Sequence, residues 1–301
     1  MATARALQLK EDGNRCFHSG DYSGAEALYS KALMIDTTNP LLYTNRAMAR
    51  LKISMYESVI PDCEASLKLL QANMKAYYYM AQAELELGRK MAALKDAETA
   101  YELCSGVKVG SRKGQEHLAG YDKSWERSLG AVTALVLRCK KEVWELKEKE
   151  RLRGQNELLE ELVDGLEQKR EDEVADVLRR KEAGEVGEVE APELAEELKQ
   201  TCSNKISQLR HRWELAAGQE GKRREVPDWI IDDITFAVMH DPVVTKTGHS
   251  YERASITEHL RHSPTDPLTR DPLRIEELRP NLALRAACAE FLEQNGWAVD
   301  W

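Results

Sequence analysis

Val226-Pro-Asp-Trp-Ile-Ile-Asp-Asp-Ile-Thr-Phe-Ala-Val-Met-His-Asp-Pro-Val-Val244 is the stretch whose reading decides the fold of the C-terminal part of this 301-residue chain. Asp241-Pro242 ahead of the apolar pair Val243-Val244 reads as a turn entering a strand. Thr245-Lys-Thr-Gly-His249 then reads as a tight hairpin, with Gly248 free to take a positive φ. From Glu252 to Arg261 the apolar residues Ala254, Ile256 and Leu260 recur at helical spacing, and Ser263-Pro264 stops the run. Thr265-Asp-Pro-Leu-Thr-Arg-Asp-Pro-Leu273 carries two Asp-Pro pairs, which force an ordered loop because each proline fixes φ. Asn281 is suited to cap a final helix carrying Leu282, Leu284, Ala287, Cys288, Phe291 and Leu292.

A module of about 75 residues is near the lower limit for folding without a staple. Zinc is excluded as that staple, because the segment has one cysteine, Cys288, and no pair at C-x-x-C spacing. The motifs Asp232-Asp-Ile-Thr-Phe236, Gly248-His-Ser-Tyr-Glu-Arg253, Asp266-Pro-Leu-Thr-Arg270 and Pro280-Asn-Leu-Ala-Leu284 resemble those of the U-box, a RING-like fold in which polar side chains replace the metals. The resemblance implies a docking surface for a ubiquitin-conjugating enzyme, with Ile234 and Phe236 in the first loop and Pro267 in the second. It adds His259 on the intervening helix and Arg270, at the position of a basic residue that bridges enzyme and ubiquitin. Taken alone, Ile234 could equally be core, and His259 could serve a local hydrogen bond. Asp241, Tyr251, Asp266 and Asn281 are expected to form an internal polar network.

Working back toward the N-terminus, residues 6 to 107 match themselves when shifted by 34, in windows beginning at Ala6, Pro40 and Met74. The eighth position is Gly13, Ala47 and Ala81, small each time as close helix contact requires. The twentieth is Ala25, Val59 and Ala93, the twenty-fourth Tyr29, Cys63 and Ala97, and the twenty-seventh Ala32, Ser66 and Ala100. This pattern is similar to the tetratricopeptide repeat, two antiparallel helices per unit stacked into an α-solenoid with a concave groove. The usual proline late in each unit is replaced by Thr37, Gln71 and Ser105.

Positions expected to line the groove include Lys10, Asn14, Asn45, Lys75 and Tyr79. Ammonium and carboxamide donors converging on a groove suit a carboxylate, and two adjacent carboxylates better still. Leu9-Lys-Glu-Asp-Gly-Asn14 and Tyr43-Thr-Asn-Arg-Ala47 resemble the carboxylate clamp of co-chaperone repeat domains. That resemblance implies capture of the C-terminal Glu-Glu-Val-Asp of cytosolic heat-shock chaperones, with Tyr78 and Tyr79 as an aromatic shelf. Many clamps carry arginine where Tyr79 stands, and a further anion-side residue beyond the third unit, within Gly106 to Ser124, is left unassigned.

Between these regions, Trp125 to Arg180 is rich in Glu, Lys, Arg and Leu without proline, which predicts long helices. Leu129, Val132, Val136, Cys139, Val143 and Leu146 form one apolar seam, and Leu159, Leu162 and Leu166 a second. Glu182 to Pro192 reads as a break, and a second helix to Ala217 carries Leu194, Leu198, Cys202, Ile206, Leu209 and Trp213 on one stripe. Residues 218–225 read as a polar hinge. Such a hairpin can fold on itself or on a second copy; the long stripes favour a homodimer.

The fold class is therefore mostly α: a tetratricopeptide solenoid over 1–110, a charged helical hairpin or coiled coil over 111–225, and a small α+β U-box over 226–301. A net charge of −9 argues against general nucleic-acid binding. No long apolar run or leader points to a membrane. The six cysteines lack paired spacing and read as reduced thiols of a cytoplasmic protein, with the nucleus a second possible compartment. No nucleophile grouping, phosphate loop or metal set is present, and no cofactor is expected. In order and character the three parts resemble the chaperone-associated U-box ubiquitin ligases. The resemblance implies transfer of ubiquitin to misfolded clients held by the chaperone, without a covalent ubiquitin intermediate on this chain. The alternatives are a non-catalytic co-chaperone scaffold and a clamp for a different acidic C-terminus.

Overall fold

A computed structural model describes residues 2–106, 128–220 and 225–301. They group into two compact units, Met1–Glu145 with Pro227–Trp301, and Leu146–Val226. The first unit opens with three helix pairs: α1 (Ala2–His18) and α2 (Tyr22–Ile35), α3 (Pro40–Lys52) and α4 (Tyr56–Leu69), α5 (Met74–Glu86) and α6 (Lys90–Ser105). Pro40 and Met74, where the sequence windows begin, are the first residues of α3 and α5. Asp21 caps α2 through the Gly24 N–H at 2.8 Å, and Asn39 caps α3 through the Leu41 N–H at 3.0 Å.

The repeat register explains the packing. All nine residues at the twentieth, twenty-fourth and twenty-seventh positions are buried with no residual exposure. Gly13 is small for a measurable reason: a Cβ there would lie 2.6 Å from Cε1 of the buried Tyr29 ring. A buried ion network ties the first two units together. Asp62 accepts from Arg46 at 2.6 and 2.9 Å and from Arg50 at 2.9 Å, while Arg50 also reaches Glu26 at 2.8 Å. Removing one partner would strand charge inside the array.

The long helix α7 (Leu129–Glu182) begins by completing the third repeat. Leu129, Val132, Leu135, Val136 and Cys139 share one core with Ala93, Ala97, Ala100, Tyr101 and Cys104 of α6. From Leu129 to Cys139 the first apolar seam is therefore covered within its own chain and is not left for a partner, while Leu146 at its end is exposed; residues 129–145 group with the repeats rather than with the middle region.

In the second unit the rest of α7 and α8 (Glu190–Glu220) form a hairpin through Gly184, whose φ is +76°. Val177 meets Val186 and Ala191 near the turn, and Cys202 Sγ lies 3.4 Å from the Leu166 carbonyl farther along. The second seam differs from expectation by one position. Val163 is buried while Leu162 is exposed; 159/162/166 and 159/163/166 suit one helix face equally, and the packing of the hairpin selects the second. The stripe on α8 lies as its spacing predicts; the helix runs on through 218–220, the first three residues of the expected 218–225 hinge, and 221–224 lie outside the described residues.

The C-terminal module is a three-stranded antiparallel sheet ordered β2-β1-β3 with two helices. The elements are β1 (Pro242–Val244), β2 (Ser250–Glu252), α9 (Arg253–His262), β3 (Arg279–Pro280) and α10 (Leu282–Gln294). Gly248 turns the β1–β2 hairpin with φ +90°. Val243, Tyr251, Ile256, Leu260, Leu273 and Leu278 make the core, and Asn281 caps α10 through the Leu284 N–H at 3.1 Å.

One buried acid makes the array sensitive to pH. Burial, then the neighbouring Asp96 carboxylate, push the Glu84 carboxyl from 4.5 up to about 7. Because the folded value lies above the unfolded one, the stability this group contributes is complete below about 4.5 and is lost as pH rises through about 7. Glu84→Gln is expected to abolish that decline and to be more stable than the wild-type chain at pH 8 by roughly 1–3 kcal/mol, read from denaturant melts across pH.

Candidate functional site

Two loops of the C-terminal module share one construction. Asp232-Asp-Ile-Thr-Phe236 and Asp266-Pro-Leu-Thr-Arg270 have the same pattern, and each is closed by an isolated bridge, Ile231 with Val238 and Thr265 with Pro272. In the first, Phe236 N donates to the Asp232 carbonyl at 2.8 Å and Asp232 N to the Ala237 carbonyl at 2.9 Å. In the second, Arg270 N donates to the Asp266 carbonyl at 2.9 Å and Asp266 N to the Asp271 carbonyl at 2.9 Å. Phe236 and Arg270 both hold the left-handed backbone conformation, at φ +58° and +62°. For a non-glycine residue this costs on the order of 1 kcal/mol or more, so the surroundings must enforce it.

The enforcement comes from the aspartate side chains. Asp232 Oδ2 accepts from the Thr235 N–H at 3.0 Å and its hydroxyl at 2.7 Å, while Oδ1 accepts from Glu252 N at 2.9 Å. Asp266 Oδ1 accepts from Leu268 N at 2.9 Å, Thr269 N at 3.2 Å and the Tyr251 hydroxyl at 2.9 Å, and Oδ2 from the Thr247 hydroxyl at 2.9 Å. Burial raises the Asp266 carboxyl, but these donors outweigh it and leave its pKa below the ordinary value. Both loops thus hang from neighbouring residues of β2, Tyr251 and Glu252. Burial lifts the Glu252 carboxyl to about 7, against the pull of the His240 and Asp241 N–H groups that donate to it at 2.7 and 2.8 Å.

The loop side chains divide accordingly. Phe236 is 73% exposed, an unusual state for that residue, and Arg270 is exposed as well. Ile234 is half-buried, one side packed on the module's core, and Pro267 is also half-buried. His259 lies with Nε2 3.0 Å from the Thr265 carbonyl, so it helps seat the second loop. Leu268, 60% exposed, occupies the place in the second loop that Ile234 holds in the first. Sequence reading passed over Leu268, although the repeated Asp-x-aliphatic-Thr pattern marks it. It also passed over Asp232, Glu252 and Thr247 as members of the polar network.

In the repeat array, the Asn45 Nδ2 and Tyr29 hydroxyl both donate to Asn14 Oδ1, at 3.2 and 2.8 Å. This fixes the Asn14 carboxamide so that its Nδ2 is the group left to donate. Tyr78 and Tyr79 meet edge to face at 5.7 Å, and the Tyr79 hydroxyl donates to Met48 Sδ at 3.1 Å. Tyr79 is therefore partly committed to the contact between units, and burial pushes its phenol well above the ordinary value. Lys10 stands one turn before Asn14 on α1, 3.7 Å from Glu11, and Lys75 is exposed in the first turn of α5. Both lysines are placed by their helices rather than by contact with the other four among the described residues. The segment that the sequence left unassigned after Gly106 lies outside the described residues.

The U-box domain family matches residues 226–297, which makes this a U-box protein. Along its whole length the chain is similar to the E3 ubiquitin-protein ligase CHIP of Arabidopsis thaliana, 30% identical over 99% of this chain and 97% of that one. The chain belongs to the CHIP family. It is also 32% identical to human serine/threonine-protein phosphatase 5, over 42% of this chain but only 26% of the phosphatase. Among solved structures, the second TPR of Spaghetti (RPAP3) bound to an HSP90 peptide is 36% identical, covering 34% of this chain and 94% of that one, at a TM-score of 0.33.

Asp266→Ala strips four donors of their acceptor and is expected to cost roughly 2–4 kcal/mol, read as a lower denaturant midpoint of the C-terminal module. Asp266→Asn keeps an acceptor for the Oδ1 donors and should lose less.

Proposed function

We propose that this chain is a ubiquitin ligase that brings a charged ubiquitin-conjugating enzyme to clients held by a heat-shock chaperone. Membership of the CHIP family supports ligase activity. The finer reading rests on one observation above others: Phe236 is turned out to solvent on a backbone conformation that two carboxylate-braced hydrogen bonds enforce. An apolar side chain held outward at such expense suits a contact with another protein. In this reading Ile234 on the same loop, Pro267, Arg270 and Leu268 on the second loop, and His259 on the helix between them complete the docking surface.

The chain itself supplies no nucleophile in this scheme. Docking restricts the carrier-bound ubiquitin to reactive orientations, so the acceleration is one of lost freedom, and Arg270 can hydrogen-bond across carrier and ubiquitin. In the groove, Lys10, Lys75, Asn14 and Asn45 supply donors for the paired carboxylates of a chaperone's C-terminal Glu-Glu-Val-Asp, and the Tyr78–Tyr79 pair takes the peptide's apolar side chain. In the middle region Leu152, Leu158 and Leu162 stay exposed along α7, which favours a homodimer through the hairpin. The cytoplasm is where reduced cysteines, chaperone tails and the ubiquitin system would meet.

The test pairs two assays on the full-length chain. Ile234→Ala and Phe236→Ala are each expected to slow discharge of ubiquitin from its conjugating enzyme at least about tenfold, with the fold intact by circular dichroism. Lys10→Ala is expected to weaken calorimetric binding of a Met-Glu-Glu-Val-Asp peptide about tenfold or more. A wild-type chain that binds the peptide but discharges no ubiquitin would make it a scaffold rather than a ligase.

A further inference from the structure

The last repeat helix reaches into the U-box. Tyr101 on α6 is 2% exposed, and its hydroxyl donates to Asp241 Oδ2 at 2.8 Å. Asp241 is wholly buried; the same oxygen accepts from Arg253 Nε at 2.6 Å, and Arg285 lies 3.7 Å from the other. The His240 ring meets Tyr101 edge to face at 5.0 Å, and Lys140 Nζ lies 3.4 Å from His240 Nδ1. Burial, followed by the Glu252 and Asp241 carboxylates, pushes the Tyr101 phenol far above its ordinary value, so it remains a donor.

A second contact lies farther along α7. Trp144 Nε1 donates to the Gln294 carbonyl at 3.0 Å, and Lys141 pairs with Asp300. Gly296 is required here, because a Cβ would fall 2.4 Å from the Trp144 Cβ. One buried charged hydrogen bond and one close backbone contact thus fix the U-box at two separated points, which removes rotation about either.

We propose that Tyr101 and Trp144 are positioning residues that lock the U-box onto the end of the repeat array, so that a peptide in the groove and a carrier on the Phe236 loop sit at a set separation. The proposal rests on the ligase reading for its functional consequence and on the contacts alone for its structural one. A chain held this way presents ubiquitin to a limited arc of lysines on a chaperone-held client. A U-box free on a flexible tether would sample a wider volume at lower effective concentration.

The experiment uses the full-length chain with Tyr101→Phe, which keeps the ring and removes the donor, and Gly296→Ala, which forces Trp144 away. Zero-length carbodiimide coupling of Lys141 to Asp300, read by peptide mass spectrometry, reports the locked arrangement. Both variants are expected to lower that cross-link several-fold, to leave ubiquitin discharge to free lysine unchanged, and to spread modification of a chaperone-bound client over more lysines. The proposal is overturned if the cross-link is absent from the wild-type chain, if it is undiminished in both variants, or if it falls while the pattern of client lysines stays the same. The cross-link reads the contact even in a chain that discharges no ubiquitin, so failure of the lock and failure of the ligase reading are told apart.

Discussion

Two buried aspartates hold this C-terminal module in shape. Asp232 and Asp266 each gather hydrogen bonds from the loop they begin and from β2 or its hairpin, and each forces a non-glycine residue four positions on into left-handed backbone. A carboxylate with its acceptor sites filled is stable inside a protein, whereas one with a missing donor is costly. The arrangement is therefore nearly all-or-none. It shapes both loops, and through Glu252 it ties the first of them to the stretch His240–Asp241 that meets the repeat array.

Much of this architecture was legible in the sequence, for reasons that differ between regions. The solenoid declares itself because helix stacking demands small or matched side chains at fixed spacing, and the positions read from the 34-residue shift, such as Ala25, Val59 and Ala93, are the buried ones. The strands and helices of the U-box follow from Gly248, the Asp-Pro pairs and the Asn281 cap, which act locally on the backbone. The covering of the first α7 seam was not legible. A stripe such as Val132, Val136 and Cys139 says that something packs on it, and only the tertiary arrangement identifies α6 as that partner. The one-position difference between Leu162 and Val163 arises because spacings of 3 then 4 and of 4 then 3 define equally narrow helix faces, so only the packing chooses between them.

The candidate sites were legible in unequal measure. Phe236 and Arg270 could be named from motif position, but that both sit at positive φ is a property of loop closure and carries no sequence signal beyond the paired Asp and Thr. Asn14 and Asn45 could be matched by repeat position, while their mutual hydrogen bond emerges only when α1 and α3 are set side by side. Tyr101 was invisible as a junction residue. In the repeat pattern it is one more aromatic at the end of a helix, and its partner Asp241 lies 140 residues away.

In the proposed function one chain serves two partners at once, a chaperone tail in the groove and a ubiquitin carrier on the loops. The most direct test is ubiquitylation of an unfolded client bound to the chaperone, carried out with and without excess free Met-Glu-Glu-Val-Asp peptide. The peptide is predicted to abolish client modification while discharge of the carrier to free lysine continues unaltered. Client modification that persists undiminished under saturating peptide would contradict the account.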